Sequence, residues 1–243
     1  MATIAELENV ASQVRRDIVR MVNACSSGHP GGSLGCADLM SALYFDALDC
    51  NPENFTIEGR GEDMFFLSNG HISPVWYSVL ARKGFFTVSD LATFRKIGSP
   101  LQGHPTPKYN LPGVRIASGS LGQGLSVGIG AALAKKLNGC NHLVYTLHGD
   151  GELQEGQIWE AVMFAAGNKV DNLISIIDVN NAQIDGKVED VLPIGNLKDK
   201  FIAFGWEALE MQGNDMKDCV EVLKKAKSLT KKGKPVVILM HTL

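Results

Sequence analysis

Two apolar runs in the middle of the chain constrain its fold more than any other feature. Leu143-Val144-Tyr145-Thr146-Leu147 and Leu173-Ile174-Ser175-Ile176-Ile177 are short, continuous and rich in β-branched residues, the pattern of strands covered on both faces. Between them, Ile158, Ala161, Val162, Ala165 and Ala166 share one face of a helix predicted over 157–167. Strand, helix, strand is a βαβ unit, and such units build α/β domains around a doubly wound parallel sheet flanked by helices. The first run leads into Gly149-Asp150-Gly151, the second into Asn180-Asn181. The unit therefore carries Asp150 and Asn180 to the carboxyl ends of parallel strands, where open α/β sheets bind ligands. The flanking glycines let backbone approach a bulky ligand. A carboxylate, an amide oxygen and ligand phosphates would suit Mg²⁺, which seldom takes an all-protein cage. Both sequences are also good turns, and these residues alone leave a metal site and two plain turns equally open.

The rest of the chain alternates in the same way. Helical spacing of Ile4, Leu7, Val10, Ala11, Val14, Ile18, Met21 and Val22 predicts a helix over 4–24. Glycines and Pro30 make 26–33 a loop, with Ser33 expected to cap a helix over 34–48. Further strands are predicted at 64–68, 206–211 and 235–240. Helices are predicted at 73–82, 125–137, 197–204 and 215–229, with a short one from Thr87 or Ser89. Residues 97–113 form an extended loop with Pro100, Pro105, Pro107 and Pro112, and 186–195 a plain loop. Gly128 and Gly130 inside a helix cost roughly 1 kcal/mol each; close packing against the sheet or a partner subunit explains them. Gly122, Gly124 and Gly128 lack the preceding strand and the GxGxxG spacing of a dinucleotide loop.

Composition narrows the function. A chain of 243 residues suffices for one large α/β core. The net charge of −3 gives no reason to expect nucleic acid or an anionic membrane. The lysines from Lys224 to Lys234 read as a solvated helix end. The five cysteines are scattered with no CxxC pair, which suggests neither a zinc site nor a disulfide frame and fits a reducing cytoplasm. No signal peptide or membrane-spanning run is evident.

GDG, then 28 residues, then NN resembles the thiamine-diphosphate signature of transketolase-like enzymes. SGHPGGSLG from Ser27, SNGH at 68–71, GHP at 103–105, SLGQGLSVGIGAA from Ser120, and GELQEGQ with WEA after Asp150 follow in the order of the transketolase family. The resemblance covers nearly the whole chain, but only the diphosphate-binding half of a transketolase, as in the first subunit of two-subunit members. It implies one diphosphate-binding domain over 1–243, with the pyrimidine domain on a separate C-terminal subunit, and a heterotetramer in the cytoplasm. The implied activity moves a two-carbon ketol unit between sugar phosphates, as in pentose phosphate chemistry, with thiamine diphosphate and Mg²⁺ (or Ca²⁺ or Mn²⁺). A 1-deoxyxylulose-phosphate-synthase-like enzyme is the alternative within the thiamine enzymes, and a non-catalytic diphosphate-binding module the alternative outside them.

By the same resemblance, Asp150, Asn180 and the Ala182 carbonyl hold the metal. Asp150, Gly151, Asn180, Gly119 and Leu121 meet the cofactor, and Ile184 packs on it. His29 and His104 handle substrate and protons, a task suited to imidazole near neutral pH, and His71 stands on the diphosphate side. Glu155 matches an acidic residue that helps link active sites across the dimer, and it also suits a helix N-terminus. The family's cofactor-activating glutamate belongs to the pyrimidine domain, and a further active-site histidine lies downstream of Leu243. A chain like this is expected to be inactive by itself. His148 departs from the family pattern, which is usually apolar there, and is expected to sit harmlessly at the strand end. His142 precedes a strand and matches no motif. His241, Glu152 and Glu160 are expected at the surface or at helix starts.

Overall fold

The computed structural model describes residues 2–243. Five parallel strands form one sheet: β1 (Met64–Leu67), β2 (Val144–Gly149), β3 (Leu173–Val179), β6 (Glu207–Gln212) and β7 (Val236–His241), in the order β1-β2-β3-β7-β6. Register is continuous through the site-bearing pair, from Val144 beside Leu173 to Gly149 beside Asp178. Side chains alternate along each strand, and the two sets enter separate cores. Phe65, Leu67, Tyr145, Leu147, Ile174 and Ile176 pack under α1 (Ile4–Cys25), α3 (Ala37–Ala42), α4 (Ser73–Lys83) and α9 (Met216–Leu229). Phe66, Val144, Leu173, Ile177, Val237 and Leu239 pack under α5 (Gly124–Leu137), α6 (Gly156–Gly167) and α8 (Leu197–Ala203). This is the doubly wound α/β class that the apolar runs predict.

Local chemistry fixes the helices. Thr3 and Glu6 cap α1 reciprocally: the Glu6 N–H donates to Thr3 Oγ1 at 3.3 Å and the Thr3 N–H to Glu6 Oε2 at 2.7 Å. Buried Asp17 then ties α1 to α4, accepting from Arg82 at 2.6 and 3.0 Å and from Ser78 at 2.8 Å. Gly128 does pack on the sheet, since a Cβ there would lie 2.4 Å from Thr146 Cγ2, whereas Gly130 faces open space.

Three expectations need correction. The helix predicted over 34–48 begins at Pro30: α2 (Pro30–Gly35) and α3 are separated by Cys36, and a wider turn closes at Leu43–Ala47. Pro30 at a first-turn position starts the helix, despite the two glycines that follow. Ser33 is therefore no cap; it lies inside α2 and its hydroxyl donates to the His29 carbonyl at 2.8 Å. Between Asn181 and Leu192 the chain is not a plain loop. It makes a hairpin, β4 (Ala182–Gln183) with β5 (Gly186–Lys187), and one helical turn, α7 (Val188–Val191). No helix among the described residues is long and apolar enough to cross a membrane.

Candidate active site

β2 and β3 deliver their two candidate ligands to one edge. The Asp150 N–H donates to the Asp178 carbonyl at 3.0 Å, extending the strand pairing past Gly149. The buried Asp150 carboxylate accepts from the N–H of Gly151 at 2.8 Å and from that of Asn181 at 2.6 Å. Asn180 is held at both ends: its amide Nδ2 donates to Asp178 Oδ2 at 2.9 Å and its Oδ1 accepts from the Ala182 N–H at 2.8 Å. Asp178, also buried, accepts from the Thr242 hydroxyl as well. Burial raises the Asp150 carboxyl above its ordinary value, against the N–H donors of Asn181 and Gly151. No cationic side chain lies within ion-pairing distance of it among the described residues. A buried carboxylate without a counter-charge, beside an amide oxygen, is a donor set for a hard cation. Asp178 escaped the sequence reading. Its signal was an acid next to the end of a largely apolar strand.

A further departure from expectation lies beneath this edge. Glu152 stands in the first turn of a short helix, Gly151–Gln154, one of the two places expected for it, but it is buried, 2% exposed. Its carboxylate accepts from the Ser68 hydroxyl, from the Gly122 N–H at 2.8 Å and from the Gly149 N–H at 3.2 Å. Ser68 in turn accepts from the Gly124 N–H at 3.0 Å. One carboxylate thereby ties together the ends of β1 and β2 and the start of α5. His148 sits at the end of β2, as expected, and is fully buried there, with Nδ1 3.4 Å from Glu152 Oε1 and Nε2 2.9 Å from the Thr146 hydroxyl. Burial opposes ionisation of Glu152, but His148, Ser68 and Gly122 outweigh it and hold the carboxyl below its ordinary value. Glu160 is exposed, as expected.

The loop histidines converge. His29 stands just ahead of α2, His71 in the turn after β1, and His104 in the extended loop. The His29 ring centre is 5.1 Å from that of His71 and 6.5 Å from that of His104. Burial, then the neighbouring His29, lowers His71 to about 4. Burial and Arg95 lower His29 and His104. All three are thus neutral imidazoles at pH 7, able to accept a proton or donate an N–H. The loop bearing His104 is pinned, since Ser73 and Tyr77 donate to the carbonyls of Gly103 and Gln102 at 2.7 and 2.8 Å. Arg95 was not singled out from sequence; its guanidinium donates to Ser27 at 2.9 Å. With Gln102, Gly103 and His104 it lines a cleft of about 540 Å³.

The remaining candidates lie around the same opening. Gly119 is exposed, and a Cβ on it would sit 3.8 Å from His104 Cβ. Gly70 is pressed against Ser118: a Cβ there would come within 1.7 Å of its carbonyl oxygen, which brings the His71 turn against the loop that carries Gly119 and Leu121. At Gly151 a Cβ would lie 3.2 Å from Gln183 Oε1, a tight contact. Ala182 is exposed, and Ile184 at the hairpin tip is 90% exposed. Buried Asn69 Oδ1, Ser118 Oγ and His29 Nδ1 have no hydrogen-bond partner. Buried polar atoms normally have one, so the walls of the opening are built for a polar ligand. Glu155 is exposed at the start of α6, His241 is half-buried 3.8 Å from Glu210, and His142 belongs to the opposite edge of the sheet.

The family model for "Transketolase, thiamine diphosphate binding domain" matches residues 7–243. The chain belongs to the transketolase family. Its thiamine-diphosphate-binding domain is a transferase domain, as the resemblance implied. Among its relatives is a subunit of the apulose-4-phosphate transketolase of Phocaeicola vulgatus, 38% identical over 239 residues, which cover 98% of this chain and 83% of the relative. Another is the 6-deoxy-6-sulfo-D-fructose transketolase subunit SqwG of a Clostridium species, 37% identical, covering 98% of this chain and 85% of the relative. The solved transketolase of Campylobacter jejuni superposes with a TM-score of 0.90 at 36% identity, covering 99% of this chain and 38% of that one. That of Leishmania mexicana gives 0.90 at 31% identity, and this chain spans 37% of its length.

Proposed function

We propose that this chain is the cofactor-anchoring subunit of a two-subunit transketolase, moving a two-carbon ketol unit from a ketose phosphate to an aldose phosphate. The observation that carries the reading is the meeting of Asp150 and Asn180 at one sheet edge, with neutral His29, His71 and His104 gathered in the neighbouring loops. Residues 1–243 form the diphosphate-binding domain on this reading, and a partner subunit brings the pyrimidine domain with its glutamate. Both relatives named above are themselves called transketolase subunits, which supports a partner, and we favour a heterotetramer. Scattered, unpaired cysteines support a cytoplasmic setting, within pentose phosphate chemistry.

The residues present fit the cofactor and its cation. Asp150, Asn180 Oδ1 and the Ala182 carbonyl would hold Mg²⁺, and the same edge would hold the diphosphate. When bound, thiamine diphosphate supplies a thiazolium carbon that acts as nucleophile toward the ketose carbonyl. Gly151 keeps side chains away from the diphosphate, and Gly119 and Leu121 line its approach. Ile184 offers an apolar surface at the mouth. His71 faces the diphosphate side as a neutral N–H donor. His29 and His104 accept and return protons at the sugar hydroxyls and stabilise charge on oxygen. By their names, the two relatives act on a sugar phosphate and a sulfo-sugar; we infer a sugar with an anionic end here too.

The test is turnover of a ketose phosphate with an aldose acceptor, thiamine diphosphate and Mg²⁺, with and without the pyrimidine-domain subunit of a two-subunit transketolase. Activity is expected only with both chains and is expected to be lost in Asp150→Asn. Full turnover by this chain alone would overturn the two-subunit reading.

A further inference from the structure

The opposite edge of the sheet carries a second polar cluster, unused by the site above. Cys140 and His142 lie in the turn between α5 and β2, at the amino end of the strand whose carboxyl end leads into Asp150. The Cys140 Sγ is 3.4 Å from His142 Nδ1, and His142 Nε2 is 3.3 Å from the Asp49 carboxylate. Lys135, on the last turn of α5, brings its Nζ to 3.9 Å from the same sulfur, and the Gly59 and Glu62 carbonyls fix it there at 2.9 and 2.7 Å. The nearby acids are engaged elsewhere. Asp63 accepts from the N–H groups of Leu143 and Asp49, and Glu62 pairs with Arg115. The groups that face the thiol are therefore an imidazole oriented by a carboxylate and an ammonium. They do not form a metal centre, since no three His, Cys, Asp or Glu side chains among the described residues group to hold an ion.

We propose that Cys140 is a reactive thiol, a modification site that undergoes exchange with low-molecular-weight disulfides. His142 Nδ1 takes the thiol proton while Nε2–H stays on Asp49, and the Lys135 ammonium stabilises the sulfur anion. The thiolate attacks one sulfur of a small disulfide. A bond forms between Cys140 and that sulfur, the old S–S bond breaks, and the other half leaves with the electron pair as a thiolate, which His142 or water protonates. The product is a mixed disulfide that excess thiol reverses. Burial works against ionisation, but the His142 N–H and ring, with Lys135, hold the Cys140 thiol below its ordinary value.

The other cysteines are unlike it. Cys36 and Cys219 are buried, and burial pushes Cys219 up to about 12. Burial pushes Cys50 up to about 11. Cys25 is half-buried, and the groups its sulfur faces are backbone carbonyls, those of Met21 and Ser27 at 3.3 and 3.2 Å, not an imidazole or an ammonium.

The test treats the folded full chain with a neutral aromatic disulfide, dithiodipyridine, and maps the modified peptides by mass. One fast equivalent on Cys140 is expected, absent in Cys140→Ser. His142→Asn is expected to slow it severalfold at pH 7, because the thiolate fraction falls by more than its rising nucleophilicity restores, and to move the pH–rate rise upward. A fast equivalent that maps to Cys25, or an unchanged pH–rate profile in His142→Asn, overturns the proposal. Mapping the unsubstituted chain needs no variant to fold.

Discussion

At the scale of single residues, the candidate site rests on buried groups whose charge state the fold dictates. His71 is the sharpest case. Its ordinary value is 6.5 and the fold lowers it to about 4. Between those values the unfolded chain binds a proton there and the folded chain does not, so stability rises with pH through this window and falls on acidification. The loss begins below about 6.5 and is complete near 4. At pH 5 it amounts to about 2 kcal/mol, at 1.36 kcal/mol per unit of pH inside the window. Urea denaturation at pH 7.5 and pH 5 measures it. The chain is expected to lose about that much more than His71→Asn, which cannot take up the proton; parallel losses in the two proteins would mean that His71 is not held neutral. His29 and His104 shift in the same direction and remain in both proteins, so they cancel in the comparison. The same neutrality matters for chemistry, because three charged imidazoles within a few ångströms would repel one another and could not accept protons.

At the scale of elements, α5 separates two uses of glycine. At Gly128 a Cβ would meet Thr146 of β2 at 2.4 Å, whereas at Gly130 it would meet nothing within 4 Å. Gly128→Ala is expected to push α5 off the sheet and cost about 1–3 kcal/mol, as overpacking does. Gly130→Ala is expected to stabilise the isolated chain by about 0.5–1 kcal/mol through helix propensity. Denaturant midpoints with unchanged slopes decide both; a destabilised Gly130→Ala would mean that the face is occupied within the single chain. The sequence foretold such packing for these glycines but not which one faced the sheet, because a period of 3.6 assigns faces only when side chains mark them. The legibility of the rest follows the same logic. β2, α6 and β3 were readable because apolar runs and helical spacing mark them without tertiary help. Asp150 and Asn180 followed from topology, since both lie past strand ends. His148 does sit at the end of β2 and Glu152 in the first turn of a short helix, as the sequence reading allowed; their burial was missed because ionisable residues are seldom fully buried unless paired, and the pairing spans β1, β2 and α5. The α2 start was hidden by Gly31 and Gly32, which argue for a loop although Pro30 suits a first turn. The β4–β5 hairpin was hidden because its two-residue connection is Ile184-Asp185, with Gly186 already in β5, so the Asp-Gly signal falls one residue late and strands of two residues leave no flanking apolar pattern. Arg95 reaches its cleft through a left-handed backbone, φ +58°, which no sequence period encodes.

At the scale of the whole molecule, the candidate site opens beside a segment that leaves large apolar side chains exposed on the single chain. Ile184 is 90% exposed at the hairpin tip, Leu192 follows in the same segment at 53%, and Met163 and Phe164 are exposed on the outer side of α6. Single exposed apolar residues are ordinary, but Ile184 and Leu192 stand in one short segment at the mouth of a ligand site, which marks an interaction surface. The buried polar atoms left unpaired at Asn69, Ser118 and His29 belong to the same opening. Both observations fit a site closed by a second surface, the cofactor between them. Hydrogen exchange followed by mass spectrometry distinguishes this from a site complete on one chain. With the pyrimidine-domain subunit, thiamine diphosphate and Mg²⁺ present together, exchange is expected to slow at 181–192, at the loop 118–124, and along α6. Cofactor and metal without the partner are expected to protect only the backbone around Asp150 and Asn181, where the Gly151 and Asn181 N–H groups already serve the carboxylate. The distal turn at 138–142 should exchange equally in all states, because it lies at the other end of β2, about 17 Å of strand away. If the partner restored turnover while 181–192 and α6 exchanged as fast as in the free chain, the apolar surface would not be where the two subunits meet.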